Sequence, residues 1–585
     1  MNERHFGAKL TSDGTTFRLW APAAKRVDLL LDGERHTLAS AKHGWFETDI
    51  AGARHGTRYR FRIDDEIDVP DPASHFQPDD VSGPSEVIDH TNYSWRGKDW
   101  HGRPWHETVL LEAHVGAFTQ EGTYRAMIEH LDHLAETGIT ALELLPLADF
   151  AGRRNWGYDG VLWYAPDSAY GRPEDLKLLI DEAHLRGLMV FLDVVYNHFG
   201  PEGNYLGRYA PAFFTQAQTP WGSAIDYRVP QVRAFAIESA LHWLDEYRFD
   251  GLRLDAVHAI TEAGEISMLH DLSLAVGQLA AETGRHIHLV LENDNNRVSL
   301  LDPMQDPPRG KYAAQWNDDY HHAWHVKLTA EKQGYYRDYQ RSPLNDIARC
   351  LGSGFVYQGE ASEHRGGEAR GEKSDGLPPT AFVNFVQNHD QIGNRPFGDR
   401  LEALAKPEAI EAALAITLLA PSIPMLFMGE EWGSKTPFPF FCDFKGDLAE
   451  AVRKGRQDEY AWAYEKFGSE VPDPLGEATF RSAILDWGNR DAGERLALVT
   501  KLLAIRRQHI MPRLAGVRFG EAHTAETGLL NANWHFGDGA RLWLTANLSD
   551  QTLSGQSKEN LATSIWGEPT EAMKPWSVLW RMEAN

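Results

Sequence analysis

The sequence predicts an α/β chain: a closed (β/α)8 TIM barrel with an immunoglobulin-like β-sandwich in front of it and a second small β-domain behind it. Three observations point there. From about residue 105, short apolar runs alternate with amphipathic helical stretches, the rhythm of repeated βα units and a parallel sheet. The flanking stretches instead alternate with a period of two between turn residues. Polar residues also gather where the apolar runs end, as they do at the C-terminal face of a barrel.

Taken in order, residues 1–90 form the first unit. Segments 16–20 and 58–63 alternate and 27–31 is an apolar run, with Ser12-Asp13-Gly14 and Asp32-Gly33 as turns, which is a small sandwich pattern. A Pro-, Asp- and Ser-rich stretch, 68–84, reads as a linker or wrapping loop. Residues 91–509 carry the barrel. Its strand candidates are 108–115, 139–146, 188–195, 249–257, 287–293, 380–389 and 423–429, with a weaker one at 312–316. Helical stretches are expected at 124–137, 173–186, 232–247 and 267–282, and a long surface loop at 357–379. Residues 510–585 return to strand-like runs at 529–534 and 541–545.

A chain of 585 residues is too long for a single compact core, which fits this division. The net charge of −26 disfavours phosphate-rich partners, so no nucleic acid is expected, whereas a neutral ligand meets no such repulsion. The 19 tryptophans suit stacking on the C–H faces of sugar rings as well as core packing. With only Cys350 and Cys442 there is no disulfide framework and no cysteine zinc site. The start, MNERHFGAKL, lacks a signal-peptide core, and Pro421 and Pro424 break the most apolar stretch, 415–429. A cytoplasmic protein with no membrane partner is therefore expected. No Gly-rich phosphate loop follows the first strand, which argues against a dinucleotide-binding open sheet and leaves an oxidoreductase on this barrel without a cofactor motif.

Polar tips occur on four strands: Asp193-Val194-Val195-Tyr196-Asn197-His198, Arg253-Leu254-Asp255-Ala256-Val257-His258, Leu291-Glu292-Asn293-Asp294-Asn295 and Asn388-His389-Asp390-Gln391. In a barrel these tips open on one face and converge. Asp255, Glu292 and Asp390 brought together would repel, so at least one keeps its proton near neutral pH. Cleaving a glycosidic bond requires a proton for the leaving oxygen and a carboxylate at the anomeric carbon, and two such acids supply both. Arg253, two residues before Asp255 on the same strand face, would orient it; Asp193 would bond to Arg253 or nearby backbone; His198 and His389 would donate to sugar hydroxyls.

These four segments resemble the signature regions of the α-amylase superfamily, glycoside hydrolase family 13. The resemblance implies Asp255 as nucleophile, Glu292 as general acid/base and Asp390 as transition-state stabiliser. It also implies sugar contacts from Arg253, His258, Asn388 and His389, and a stacking role for Tyr158 in Asn155-Trp156-Gly157-Tyr158-Asp159. Asn197 matches a calcium ligand of many family members, but no companion carboxylate loop accompanies it, so it is read as a hydrogen-bonding residue and no metal or other cofactor is expected.

Within that superfamily, nearly the whole chain is similar to the branch that releases trehalose from maltooligosyltrehalose. The distinguishing stretches are Asn197–Leu206, Thr219-Pro220-Trp221-Gly222, Gln315–His322 and Phe385–Arg395. The front domain, from Gly7 to Asp32, is similar to that of glucan-branching and debranching enzymes. The resemblance implies hydrolysis of the α-1,4 bond next to the trehalose unit, and functional pairing with the synthase that makes the substrate. It offers Trp221, Asp318, Asp319 and His321 as rim residues on loops reaching the pocket. An α-1,6 debranching or glucan-branching activity is the alternative within the superfamily, and non-catalytic glucan binding the alternative outside hydrolysis.

Overall fold

The computed structural model describes residues 5–219, 222–260, 267–490, 493–554 and 562–583. Eight parallel strands close the barrel in chain order: β1 (Leu110–Ala113), β2 (Ala141–Leu144), β3 (Met189–Val194), β4 (Gly251–Leu254), β5 (His288–Leu291), β6 (Ala314–Trp316), β7 (Phe382–Asn384) and β8 (Ile423–Phe427). Closure is made where Leu110 of β1 pairs with Met425 of β8. Every strand residue is buried, so the strands read as largely apolar runs instead of alternating ones, interrupted by a few polar residues such as Glu112, Glu143, Asp193 and Arg253. Gly251 opens β4 because a Cβ there would meet the Phe191 ring at 2.2 Å.

The surrounding helices begin at sequence signals. Proline occupies the first turn of helices Pro173–Leu185, Pro230–Glu246, Pro343–Ser353 and Pro407–Leu419, where its missing N–H costs nothing. Ser267 caps Met268–Thr283 with its side chain, and Gly284 ends that helix in the left-handed region. The single helix expected over 124–137 is two, Tyr124–Ile128 and Leu131–Thr137. His130 lies between them, with its ring stacked on Trp487 at 3.7 Å.

In front of the barrel, two antiparallel sheets face each other over Phe17, Leu29 and Phe61, all fully buried. One contains Gly14–Trp20 and Trp45–Ala51, the other Val27–Leu31 and Arg58–Ile63, to which Ser85–Glu86 is added. This sandwich is docked on helix Pro230–Glu246: Phe6 packs edge-on against Phe235 at 5.0 Å, and Glu238 accepts from the main chain of His5 at 2.7 Å and Phe6 at 3.1 Å. Behind the barrel a five-stranded antiparallel sheet includes Leu529–His535 and Arg541–Asn547, and Trp580 donates to the Ala415 carbonyl of helix Pro407–Leu419 at 3.1 Å. Among the described residues, no helix is long and apolar enough to cross a membrane.

The long surface loop expected at 357–379 is there, but it is tied down. A short hairpin, Glu360–Ala361 with Ala369–Arg370, folds the segment back, and buried Arg370 pins it through ion pairs to Asp319 at 2.9 Å and Asp294 at 3.2 Å. A guanidinium can be buried there because two carboxylates and the Tyr339 hydroxyl, at 2.7 Å, face it.

Candidate active site

The parallel register sets the first contact of the site: Asp193 on β3 lies beside Arg253 on β4. Arg253 is fully buried and its Nη1 donates to both Asp193 oxygens, at 2.9 and 2.8 Å, and to Asp255 at 2.7 Å. Its Nη2 lies 3.3 Å from Glu292. The Trp316 ring of β6 closes over the guanidinium at 4.1 Å, excluding water and holding it in plane. One cation thus serves three carboxyl groups from three adjacent strands.

Those acids differ in environment. Burial pushes Glu292 well above the ordinary glutamate value; Arg253 opposes that, and Asp255, Asp318 and Asp390 add to it. Glu292 also accepts from the Ala256 N–H at 2.7 Å. Ala256 takes a left-handed conformation, φ 41°, unusual for a residue with a Cβ; this turns the chain sharply after Asp255 and aims that N–H at Glu292. Asp255 is held by Arg253 and by the Asn197 amide at 3.0 Å. Asp193 is raised to about 7, by burial above all and against the pull of Arg253.

Asp390 behaves oppositely. Burial favours its neutral form, but His389 holds it below the usual aspartate value. His389 itself is raised well above 6.5, because Asp390 and Glu112 together outweigh burial. Its Nδ1 meets Glu112 at 2.5 Å, its Nε2 lies 3.4 Å from Asp390, and its ring stacks on Tyr158 at 5.0 Å. Tyr158 donates its hydroxyl to Asp193 at 2.6 Å, so it is locked against the same cluster. Gly157 before it has φ +107°, and a Cβ there would strike the Pro146 carbonyl at 2.2 Å.

The remaining expected residues divide. Asp318 belongs with the acids and is raised to about 7, chiefly by burial and then by Asp294. It is not on a loop: Asn317 caps helix Asp318–Thr329 through its side chain, and Asp319 and His321 turn inward along it. Asp319 binds Arg370, the Tyr339 hydroxyl at 2.5 Å and the Val356 N–H at 2.7 Å. His321 is held between the Val386 carbonyl at 2.7 Å and the Tyr336 hydroxyl at 3.1 Å. Neither is a rim residue. His198 also has protein partners at both ring nitrogens, Asn197 Oδ1 and the Tyr158 carbonyl, so it is placed to brace those two residues and not to donate freely to a hydroxyl. Asn388 caps the helix turn of Asp390 with its Oδ1 at 3.0 Å. His258 is exposed and accepts from the Asp294 N–H at 3.3 Å. Trp221 lies outside the described residues.

The sequence reading missed Glu112 on β1 and Glu143 on β2. Both are buried beneath the cluster, and the Glu143 oxygens have no hydrogen-bond partner among the described residues. Burial, reinforced by Glu112 and Asp193, pushes Glu143 well above its ordinary value and so favours its neutral form. The signal was a lone acid inside an apolar strand run, Leu110-Leu111-Glu112-Ala113 and Ala141-Leu142-Glu143-Leu144.

A proton-holding carboxyl beside a second carboxylate fixed by one guanidinium can perform acid and nucleophilic chemistry together. Comparisons with known proteins agree with a carbohydrate-acting chain. Residues 5–75 match carbohydrate-binding module 48 (isoamylase N-terminal domain), residues 92–211 the alpha amylase catalytic domain, and residues 517–580 a domain of unknown function. The malto-oligosyltrehalose trehalohydrolase of Deinococcus radiodurans is 43% identical over 500 residues, covering 85% of this chain and 81% of its own. That of Saccharolobus solfataricus is 38% identical over 509 residues, covering 86% and 87%. The crystal structure of a putative alpha amylase from Salmonella typhimurium is 44% identical and superposes with a TM-score of 0.93 over 99% of both chains. Identity of this order over more than four-fifths of the chain means that it belongs to the malto-oligosyltrehalose trehalohydrolase family of glycoside hydrolases, within the α-amylase superfamily.

Proposed function

We propose that the protein hydrolyses the α-1,4-glucosidic bond next to the trehalose end of maltooligosyltrehalose, releasing trehalose and a maltooligosaccharide with retention of anomeric configuration. The observation that carries the chemistry is the shared guanidinium: Arg253 contacts Asp255 at 2.7 Å and Glu292 at 3.3 Å, while Glu292 is the acid driven to keep its proton. The choice of substrate is supported by the names of the relatives.

In this reading Glu292 protonates the glycosidic oxygen as Asp255 attacks the anomeric carbon. The C–O bond breaks and trehalose leaves with the proton. Glu292, now ionised, takes a proton from water, whose oxygen displaces Asp255 and restores both groups. Asp390, kept anionic by the His389 imidazolium, faces the positive charge that develops on the sugar. Tyr158 supplies the stacking face, and His198 and Asn197 keep Tyr158 and Asp255 in place. Of the rim residues, Asp318 is retained; Trp221 is retained from the sequence resemblance alone. Substrate supply calls for an enzyme that converts the reducing end of a maltooligosaccharide into a trehalose unit, and the buried, unbridged thiols of Cys350 and Cys442 suit a reducing, cytoplasmic setting.

The test is product analysis. Purified protein should release trehalose from maltooligosyltrehalose, and the newly freed reducing end should appear first as the α-anomer. Cleavage of pullulan, or chain transfer on amylose, without trehalose would overturn the substrate assignment. A β-anomer would overturn retention.

A further inference from the structure

Away from the acids, the seam between sandwich and barrel gathers imidazoles. His75 comes from the wrapping segment after the sandwich, His90 from the short turn His90–Asn92, and His242 from helix Pro230–Glu246. One ligand atom from each lies within 4.8 Å of the other two, the group with such geometry among the described residues. We propose that these three histidines bind a divalent first-row transition ion of the zinc type, which staples the wrapping segment to the barrel helix.

One pair stands at the spacing that a shared ion sets. His90 Nε2 and His75 Nδ1 are 3.2 Å apart, which is also hydrogen-bond distance between the two rings. Two imidazole nitrogens on one tetrahedral zinc, each at roughly 2.0–2.1 Å, stand about 3.3 Å apart. Of the ring-centroid separations, the two made by His90, 5.1 Å to His75 and 5.1 Å to His242, suit a shared ion, while His75 and His242 stack on each other at 4.3 Å. Rings bound edge-on to one such ion have centroids roughly 4.5–5.2 Å apart.

Ligand type selects the ion. Three imidazoles and no carboxylate suit zinc, copper or nickel and disfavour calcium or magnesium, which prefer oxygen. The setting is rigid on two sides. Tyr164 stacks on His75 with an interplanar angle of 14° and donates its hydroxyl to the Phe235 carbonyl at 2.6 Å, on the helix that carries His242. Lys177 donates to the His90 carbonyl at 2.9 Å, fixing the turn that presents that ring. The same helix already receives the N-terminal segment, at His5 and Phe6, through Phe235 and Glu238, so an ion here would add a third attachment to one seam. The role is structural and separate from the acids around Arg253.

The experiment uses the full chain without an affinity tag, stripped with EDTA and titrated with zinc sulfate by calorimetry, with cobalt(II) substitution followed by visible absorption. One equivalent of zinc per chain is expected, together with four-coordinate cobalt bands and a melting temperature raised by several degrees. His242→Ala and His90→Ala should each bind zinc at least about tenfold more weakly and lose the zinc-dependent rise in melting temperature, while turnover stays at the wild-type level. If His242→Ala fails to fold, His90→Ala answers the same question from a half-buried residue on a short turn. No zinc binding by the wild-type chain, or equal binding by both variants, overturns the proposal.

Discussion

Strand β4 has an aspartate just outside each end, and the two are treated differently. Asp250, before the strand, is fully buried and fully engaged: His184 meets it at 2.8 Å, the Trp100 indole donates at 2.7 Å and the Val190 N–H at 2.9 Å. Burial alone would raise its pKa, yet these partners, with Arg285 at 3.7 Å, hold it below the ordinary value. Asp255, beyond the strand, shares its arginine with Asp193 and Glu292 and faces the pocket with 12% of its side chain exposed. One end of the barrel gives a carboxylate more donors than it needs; the other gives several carboxyl groups fewer than they need. The first arrangement stabilises a fold and the second stores reactivity, because protons must be held where cations are short.

The largest effect should come from removing the proton donor at the reactive end. Glu292→Gln keeps shape and packing but cannot ionise, and turnover should fall by roughly 10²–10⁴-fold with little change in melting temperature. Turnover near wild type would remove Glu292 from the mechanism. The opposite end should invert that outcome. Asp250→Ala leaves buried His184 and half-buried Trp100 without their acceptor, and stability should fall by about 3 kcal/mol, read from denaturant unfolding, while the folded fraction turns over normally. Unchanged stability would dissolve the contrast between the two ends.

A pH profile sharpens the comparison at smaller amplitude. Glu292 must be protonated to act as acid, so kcat/KM should decline on the alkaline side as pH rises through its raised pKa. Asp318 is among the groups that raise it, so Asp318→Asn should move that limb toward acid pH. A limb that stays in place would detach Asp318 from the cluster. The mildest change is Tyr158→Phe, which keeps the stacking ring but removes the 2.6 Å bond to Asp193. A net loss of about 1 kcal/mol predicts roughly a fivefold lower kcat/KM. No change would show that the ring alone matters.

The two ends were not equally legible in the sequence. All eight barrel strands announced themselves as apolar runs, and the faint one at 312–316 proved to be β6, faint because only Ala314–Trp316 pair. The acids beyond β4 and β5 were readable because strand direction fixes which tips share a face. Asp250 was not, since a polar residue before a strand looks like any turn residue until its partners arrive from residues 100 and 184. Arg370 was hidden for the same reason: a Gly-, Glu- and Arg-rich stretch has no period, and only the contact with Asp319 reveals a buried arginine. Asp319 and His321 were misplaced on a loop because Asn317, the cap that starts their helix, follows a strand too short to mark where the helix begins.

Trp316 covering Arg253 has a consequence for selectivity. With the guanidinium walled off and already opposed by carboxylates, and the His389 ring held between Glu112 and Asp390, the two cations described in the cluster are both matched by acids before any anion arrives. A glucan bearing phosphate or uronate groups would enter a field of its own sign and be turned away before any hydroxyl was inspected. Uncharged chains pass that filter at no cost. A phosphorylated maltooligosaccharide is therefore expected to compete less well for the pocket than its neutral counterpart, with the finer sorting of chain ends left to shape.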